Sequence, residues 1–195
     1  MKRIYTLAIV LLILNFPLQA GAVCSDLSEN DIREAREFAA RHKQNTGVVL
    51  NNMYSIGGNQ LFSERIIIRT KWHKLVLLYM VKAPGSVLSD AEKELIHGDP
   101  NIQIDIILFG HSLGFAKKCK AFISQGALRL EPEKLHADHF QVTNNIGLHT
   151  GFPDYRATLR TYFDLHRIDT LKPFSLILIR DGREESFPLD LKNFR

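Results

Sequence analysis

Cysteine is nearly absent from this chain. Cys24 and Cys119 are the only two in 195 residues, and no C-x-x-C occurs. Dithiol–disulfide exchange needs an attacking thiolate and a nearby resolving thiol, so that chemistry lacks its pair. Neither an internal repeat nor a low-complexity segment is present, which argues against a repeat architecture. The main apolar run, residues 7–14, is too short for a comfortable membrane span. Dense basic stripes of the kind that bind nucleic acid are also missing.

The chain is 45% hydrophobic and 24% charged. That is enough apolar material for one domain with a real core. Met1-Lys2-Arg3 is a basic start, residues 7–14 an apolar stretch, and Ala20-Gly21-Ala22 an A-x-A cleavage site. Residues 1–22 therefore read as a cleaved signal peptide, and the product as periplasmic or secreted. Val23 before Cys24 fits a lipoprotein cleavage box poorly. Loss of Lys2 and Arg3 takes Lys+Arg from 25 to 23 against 21 acidic residues, so the net charge falls from +4 to +2. In an oxidising compartment Cys24 and Cys119 suggest one disulfide; two free thiols or pairing between chains are the alternatives.

Ser28 predicts the start of a helix running to about His42, with Leu27 and Ile32 as a hydrophobic staple. Val48-Val49-Leu50 is a short strand candidate and Gly57-Gly58-Asn59 a loop. Residues 23–62 read as an N-terminal extension, and 63–195 as the main domain. Strands are expected at Ile66-Ile67-Ile68 and at 75–81, the latter a continuous apolar run suited to a central strand. Ser89-Asp90-Ala91-Glu92 is a capping box, and Gly98 and Pro100 stop the helix it opens. A strand is expected at 102–109, then a helix carrying Phe115, Ala116, Cys119, Phe122 and Ile123 on one face with Gly126 as its cap. Pro132 predicts a short helix, residues 140–143 an edge strand, and Pro153-Asp154 another helix. Asp181-Gly182 is a hairpin turn between strands at 175–179 and 184–189. The sum is an α/β sandwich with a mixed sheet.

Gly110-His111-Ser112-Leu113-Gly114 matches the G-x-S-x-G nucleophile elbow between an expected strand and helix. A hydrolase would use Ser112, with Asp138 or Asp154 and His166 completing a triad. Too few strands precede Ser112 for an α/β-hydrolase, and the last His precedes the final hairpin. The competing reading makes Gly110 and Gly114 turn residues and Ser112 a helix cap. His136-Ala137-Asp138-His139, with His149 nearby, is a thin metal motif, because a site needs three or four convergent ligands. Lys117-Lys118-Cys119-Lys120 reads as a solubilising face, and Trp72-His73-Lys74 as a partly buried junction. Asn144-Asn145 and Gly151-Phe152-Pro153 punctuate a loop that could carry a partner surface.

Residues 74–80, 104–109 and 173–182 resemble the three sheet segments of a thioredoxin-like fold. In that family the first strand leads into C-x-x-C; here the matching stretch is Val81-Lys82-Ala83-Pro84-Gly85-Ser86. Pro173 stands near the family's cis-proline position. Residues 104–153 are similar to exported thioredoxin-like accessory proteins of integrating conjugative elements, which are associated with type IV secretion. The resemblance implies a thioredoxin-like domain with a degenerate site, acting without a cofactor as a binding or assembly module on a protein partner in the cell envelope. It places the working surface at Lys82, Pro84, Gly85, His111, Ser112 and Pro173. A serine hydrolase using Ser112 and a thiol-redox protein using Cys119 are the rival expectations.

Overall fold

In the computed structural model, which describes residues 27–58, 62–83, 85–142 and 153–194, helix α1 spans Glu29–Arg41. Ser28 caps it as expected. Its hydroxyl accepts from the Asp31 N–H, and the Asp31 carboxylate accepts from the Ser28 N–H. Helix α2 (Thr46–Met53), strands β1 (Ser55–Gly57) and β2 (Arg65–Arg69), and helix α3 (Lys71–Val81) follow. Helix α4 (Asp90–His97) starts at the Ser89 capping box and ends at Gly98, as its sequence signals require. The rest is β: β3 (Asn101–Gly110), β4 (Lys120–Gln125), β5 (Leu128–Leu130), β6 (Lys134–Gln141), β7 (Tyr155–Asp164), β8 (Phe174–Arg180) and β9 (Arg183–Leu189). Among the described residues no helix is long and apolar enough to cross a membrane.

The protein is thus α/β, with four α-helices and two sheets among the described residues. One sheet has the order β1-β2-β3-β7-β6 and the other β5-β4-β8-β9. Every pairing is antiparallel, where a mixed sheet was expected. The sheets face each other across one core. Ile66 and Ile68 of β2, Ile102, Ile104, Ile106 and Leu108 of β3, and Leu159 and Phe163 of β7 meet Ile123, Leu176 and Leu178 from the second sheet. Thr161 is the polar exception on that face, and its hydroxyl donates to the Ile104 carbonyl at 2.8 Å.

A second apolar cluster joins the helices: Ala35 and Ala39 of α1, Leu50 of α2, Trp72, Leu75, Val76 and Tyr79 of α3, and Ile96 of α4. Phe194 packs against both clusters and stacks on Tyr54 at 5.9 Å between centroids.

Several expected elements change type. Residues 75–81 form most of α3, not a central strand. A short apolar run fits a buried strand and a buried helix alike. Thr70 decides for the helix by accepting from the His73 N–H at 3.1 Å, and Trp72, Leu75, Val76 and Tyr79 then fall on one face. Val48-Val49-Leu50 lies inside α2, and Gly57 ends β1 instead of opening a loop. The expected helix at 115–123 is a single 3-10 turn (Phe115–Lys118) followed by β4. Gly126, at φ 59°, is the first of two loop residues in the β4–β5 hairpin rather than a helix cap. Pro132 opens no helix, and Pro153-Asp154 leads into β7. Ala157, Leu159, Thr161 and Phe163 are buried at every second position, the period of a strand. The Asp181-Gly182 hairpin is as expected, with both residues at positive φ.

Of the three thioredoxin-like segments, residues 74–80 are helical, 104–109 lie in β3, and 174–180 form β8 of the other sheet. No cis peptide bond occurs among the described residues, Pro173 included.

The period-2 reading of β7 makes neighbouring aromatics unequal. Phe163→Ala removes a fully buried ring and should cost roughly 3–5 kcal/mol in a denaturant titration. Tyr162→Ala, on the opposite face, should cost far less. Equal losses would contradict the assignment.

Candidate functional site

Asp105 sits in β3 between Ile104 and Ile106 and is 3% exposed. A buried carboxylate needs partners. Asp105 accepts from Arg69 Nε at 2.6 Å and from Gln103 Nε2 at 2.7 Å. Arg69 is the last residue of β2. Its guanidinium also reaches Asn51 of α2 at 3.3 Å and His73 Nε2 of α3 at 2.6 Å. One side chain therefore ties two strands to two helices.

His73 is fully buried. Burial first, then the neighbouring Arg69 charge, pull its pKa down to about 3, against an opposing pull from the Ile68 backbone. The ring is neutral at ordinary pH, so Nε2 accepts from Arg69.

Helix α3 is stitched to α4 and the start of β3 by lysines. Lys71 Nζ donates to the His97 carbonyl at the end of α4 (2.7 Å), and Lys82 meets Glu92 at its start (2.7 Å). Hydrogen bonds from Lys82 and Ser89 hold the Glu92 pKa down at about 2. Lys74 meets Asp99 at 2.7 Å and also donates to the Asn101 carbonyl. Burial pushes the Asp99 pKa up, but the bonds from Lys74 and the Asn101 N–H outweigh it, and the net direction is down.

These ties hold the helices beside the outer face of the five-stranded sheet and leave a cleft. Two adjoining concavities of about 670 and 480 Å³ share Lys74, Leu78 and Gln103 in their walls. Asp99, Leu95 and Tyr162 complete the first, and Arg69, Asp105 and Arg160 the second. Arg160 pairs with Asp138 on β6 at 2.8 Å. The cleft thus carries the Arg69–Asp105 and Lys74–Asp99 pairs, Arg160 and Glu94 beside exposed Leu95. Among the described residues lining it none is Ser, Thr, Cys or His.

The sequence-derived candidates lie elsewhere. Ser112 is exposed in the turn after β3. It caps no helix: Gly114 holds the cap position of the 3-10 turn, at φ 78°. Gly110 has its own packing reason, since a Cβ there would stand 2.5 Å from the Phe115 ring. His111 Nδ1 lies 3.7 Å from Asp154. His166 follows the other end of β7, because Gly110 pairs with Tyr155 whereas Asn101 pairs with Asp164. Ten strand residues separate the two ends, on the order of 30 Å. Ser112 and His166 form no triad with either acid, since Asp138 pairs with Arg160 across β6 and β7.

His136 and His139 are three residues apart on one strand and face opposite sides of the sheet. His136 meets Tyr162 on the outside, and His139 meets Phe115 on the inside. Among the described residues no group of three or more His, Cys, Asp or Glu is placed to hold a metal.

Cys119 is buried and has no disulfide partner among the described residues, and burial raises its thiol pKa. Cys24, Pro84, His149, Asn144, Asn145, Gly151 and Phe152 lie outside the described residues, as does the expected signal peptide. Lys82 and Gly85 line a small pocket with Arg36 and Tyr79, whereas His111 and Ser112 sit at the end of β3 and Pro173 precedes β8. The expected working surface is therefore spread over three different elements.

Sequence reading missed Arg69 and Asp105, and placed His73 and Lys74 at a partly buried junction without assigning them these partners. A signal existed: one carboxylate inside Ile104-Asp105-Ile106-Ile107 demands a buried cation. Comparison with family models, curated proteins and solved structures finds no match to this chain.

The depressed His73 pKa fixes a pH dependence. The unfolded chain protonates this ring below about 6.5 and the folded chain does not until about 3. Its contribution to stability is complete above 6.5 and is lost as pH falls, with a limiting slope of about 1.4 kcal/mol per pH unit. Lowered carboxylates such as Glu92 add their own losses only below their unfolded value of 4.5. Urea titrations between pH 6.5 and 4.5 should show the slope, and His73→Gln should flatten it. An unchanged slope in the variant would contradict the assignment.

Proposed function

We propose that this chain is a non-catalytic, exported binding or assembly module acting on a protein partner in the cell envelope, within a conjugative or type IV secretion apparatus as the resemblance implies. The observation that carries the reading is the chemistry of the cleft. Its walls offer paired charges, amide groups, a tyrosine and leucines, which suit recognition of a polypeptide surface. Among the described lining residues none is Ser, Thr, Cys or His. The rival chemistries gain little from their residues. Ser112 is far from His166, and a thiol whose pKa is raised by burial, as in Cys119, is a poor nucleophile. A Cys24–Cys119 bond remains part of the proposal as a stabilising link.

The thioredoxin-like part of the reading rests on spacing and residue types; residues 74–80 are helical and the pairing among the described residues is antiparallel.

A photo-crosslinking amino acid at Tyr162, in the cleft, should capture a cell-envelope protein from the native host. The same group at exposed Lys117 should not. In parallel, a fluorophosphonate probe should give no labelling that Ser112→Ala removes. Equal capture from both positions would overturn the cleft as the binding surface, and Ser112-dependent labelling would overturn the non-catalytic reading.

A further inference from the structure

The four sheet edges are not alike. An edge strand offers unpaired N–H and C=O groups to any extended chain, and proteins usually blunt it. β1 and β5 are three residues each. β9 carries Arg183, Glu184, Glu185 and Pro188, a charged strand with a residue that cannot donate. β6 has eight residues and no proline, and it exposes Leu135 and Phe140. Among the described residues it pairs with β7 on one side only.

The direction of its free groups follows from register. β6 and β7 pair with Gln141 opposite Tyr155, and just beyond this the Val142 N–H donates to Asp154, the residue facing it, at 2.8 Å. In an antiparallel pair, hydrogen-bonded positions alternate. The even residues of β6 therefore bond β7. The odd ones, Leu135, Ala137, His139 and Gln141, aim their N–H and C=O groups at the open edge.

We infer that β6 is the interface of a two-fold symmetric dimer, in which a second copy of this chain adds its own β6 antiparallel to the first, with Ala137 facing Ala137 across the axis. The sequence is self-complementary in this register. His136 meets Asp138 of the copy, twice, on the outer face. Lys134 meets Phe140, whose exposed ring the lysine stem covers. Leu135 meets His139 on the core side. The smallest side chain of the strand sits on the axis, where crowding is greatest. Moving the axis to residue 138 sets Asp138 against Asp138, and moving it to 136 sets His136 against His136. The Ala137 axis is thus the register of these three that places no like residues with charge-bearing side chains opposite each other, a condition that matters for cross-strand pairs. The join would extend each five-stranded sheet into one of ten strands.

Sedimentation equilibrium of the full processed chain tests the proposal. The expected result is a reversible dimer. His136→Asp sets Asp opposite Asp138 and should weaken it by about tenfold or more. The swap His136→Asp with Asp138→His restores opposite character and should recover most of the affinity. Ala137→Pro removes an N–H that serves only the open edge, so it should abolish the dimer while circular dichroism shows a folded chain. A monomer at all concentrations would overturn the proposal. So would a dimer indifferent to His136→Asp, a double swap no better than the single variant, or capture of a different protein along β6 in place of a second copy.

Discussion

The Arg69–Asp105 ion pair is the constraint on which the rest of the molecule turns. Asp105 lies in the third strand of a sheet whose other face is the main core, and it is too buried to be satisfied by solvent. Removing one partner of such a pair leaves an uncompensated charge and costs roughly 3–5 kcal/mol. The same guanidinium holds Asn51 and His73, so the pair also docks α2 and α3. Phe194, the Ile68 N–H bond to the Tyr54 carbonyl and Lys74 at Asp99 and Asn101 are further ties between the helical cluster and the sandwich. The position of α3 follows from Arg69, and the cleft follows from the position of α3.

Where the sequence was legible, local chemistry decided the outcome. Ser28 and Ser89 each had a carboxylate three residues on, and both helices begin there. Asp181-Gly182 requires two positive φ values and forms the expected hairpin. Where reading failed, two periods competed. Residues 75–81 are apolar throughout, and only the Thr70 cap and the placement of Trp72 select a helix. Residues 155–164 place apolar groups at both helical and strand spacings, and pairing with β3 on one side and β6 on the other settles the contest. At Gly110–Gly114 both glycines are turn residues as expected, one demanded by the Phe115 ring and one by a left-handed turn, while Ser112 does not cap the helix as expected.

The candidate site was legible only through an anomaly that composition does not reveal. A single Asp in a run of isoleucine points to a buried partner, but which cation supplies it depends on strand register. The outer face of the five-stranded sheet gathers residues from β2, β3, β7 and β6, which are distant in sequence. The two surfaces that emerge are chemically distinct. The cleft presents side chains, among them the Arg69–Asp105 and Lys74–Asp99 pairs, and the β6 edge presents free backbone. A module that uses one to hold a partner and the other to hold its own copy would place the two sites side by side, since His136 and Asp138 of β6 touch the cleft residues Tyr162 and Arg160.

The most direct measurement is native-state hydrogen exchange on Asp105→Asn compared with the parent chain. If Arg69–Asp105 docks the helical layer, amides of α1, α2 and α3 should lose protection while those of β4 and β8 keep theirs. Loss of protection spread evenly over both sheets and all helices, or no loss in the helices, would contradict the account.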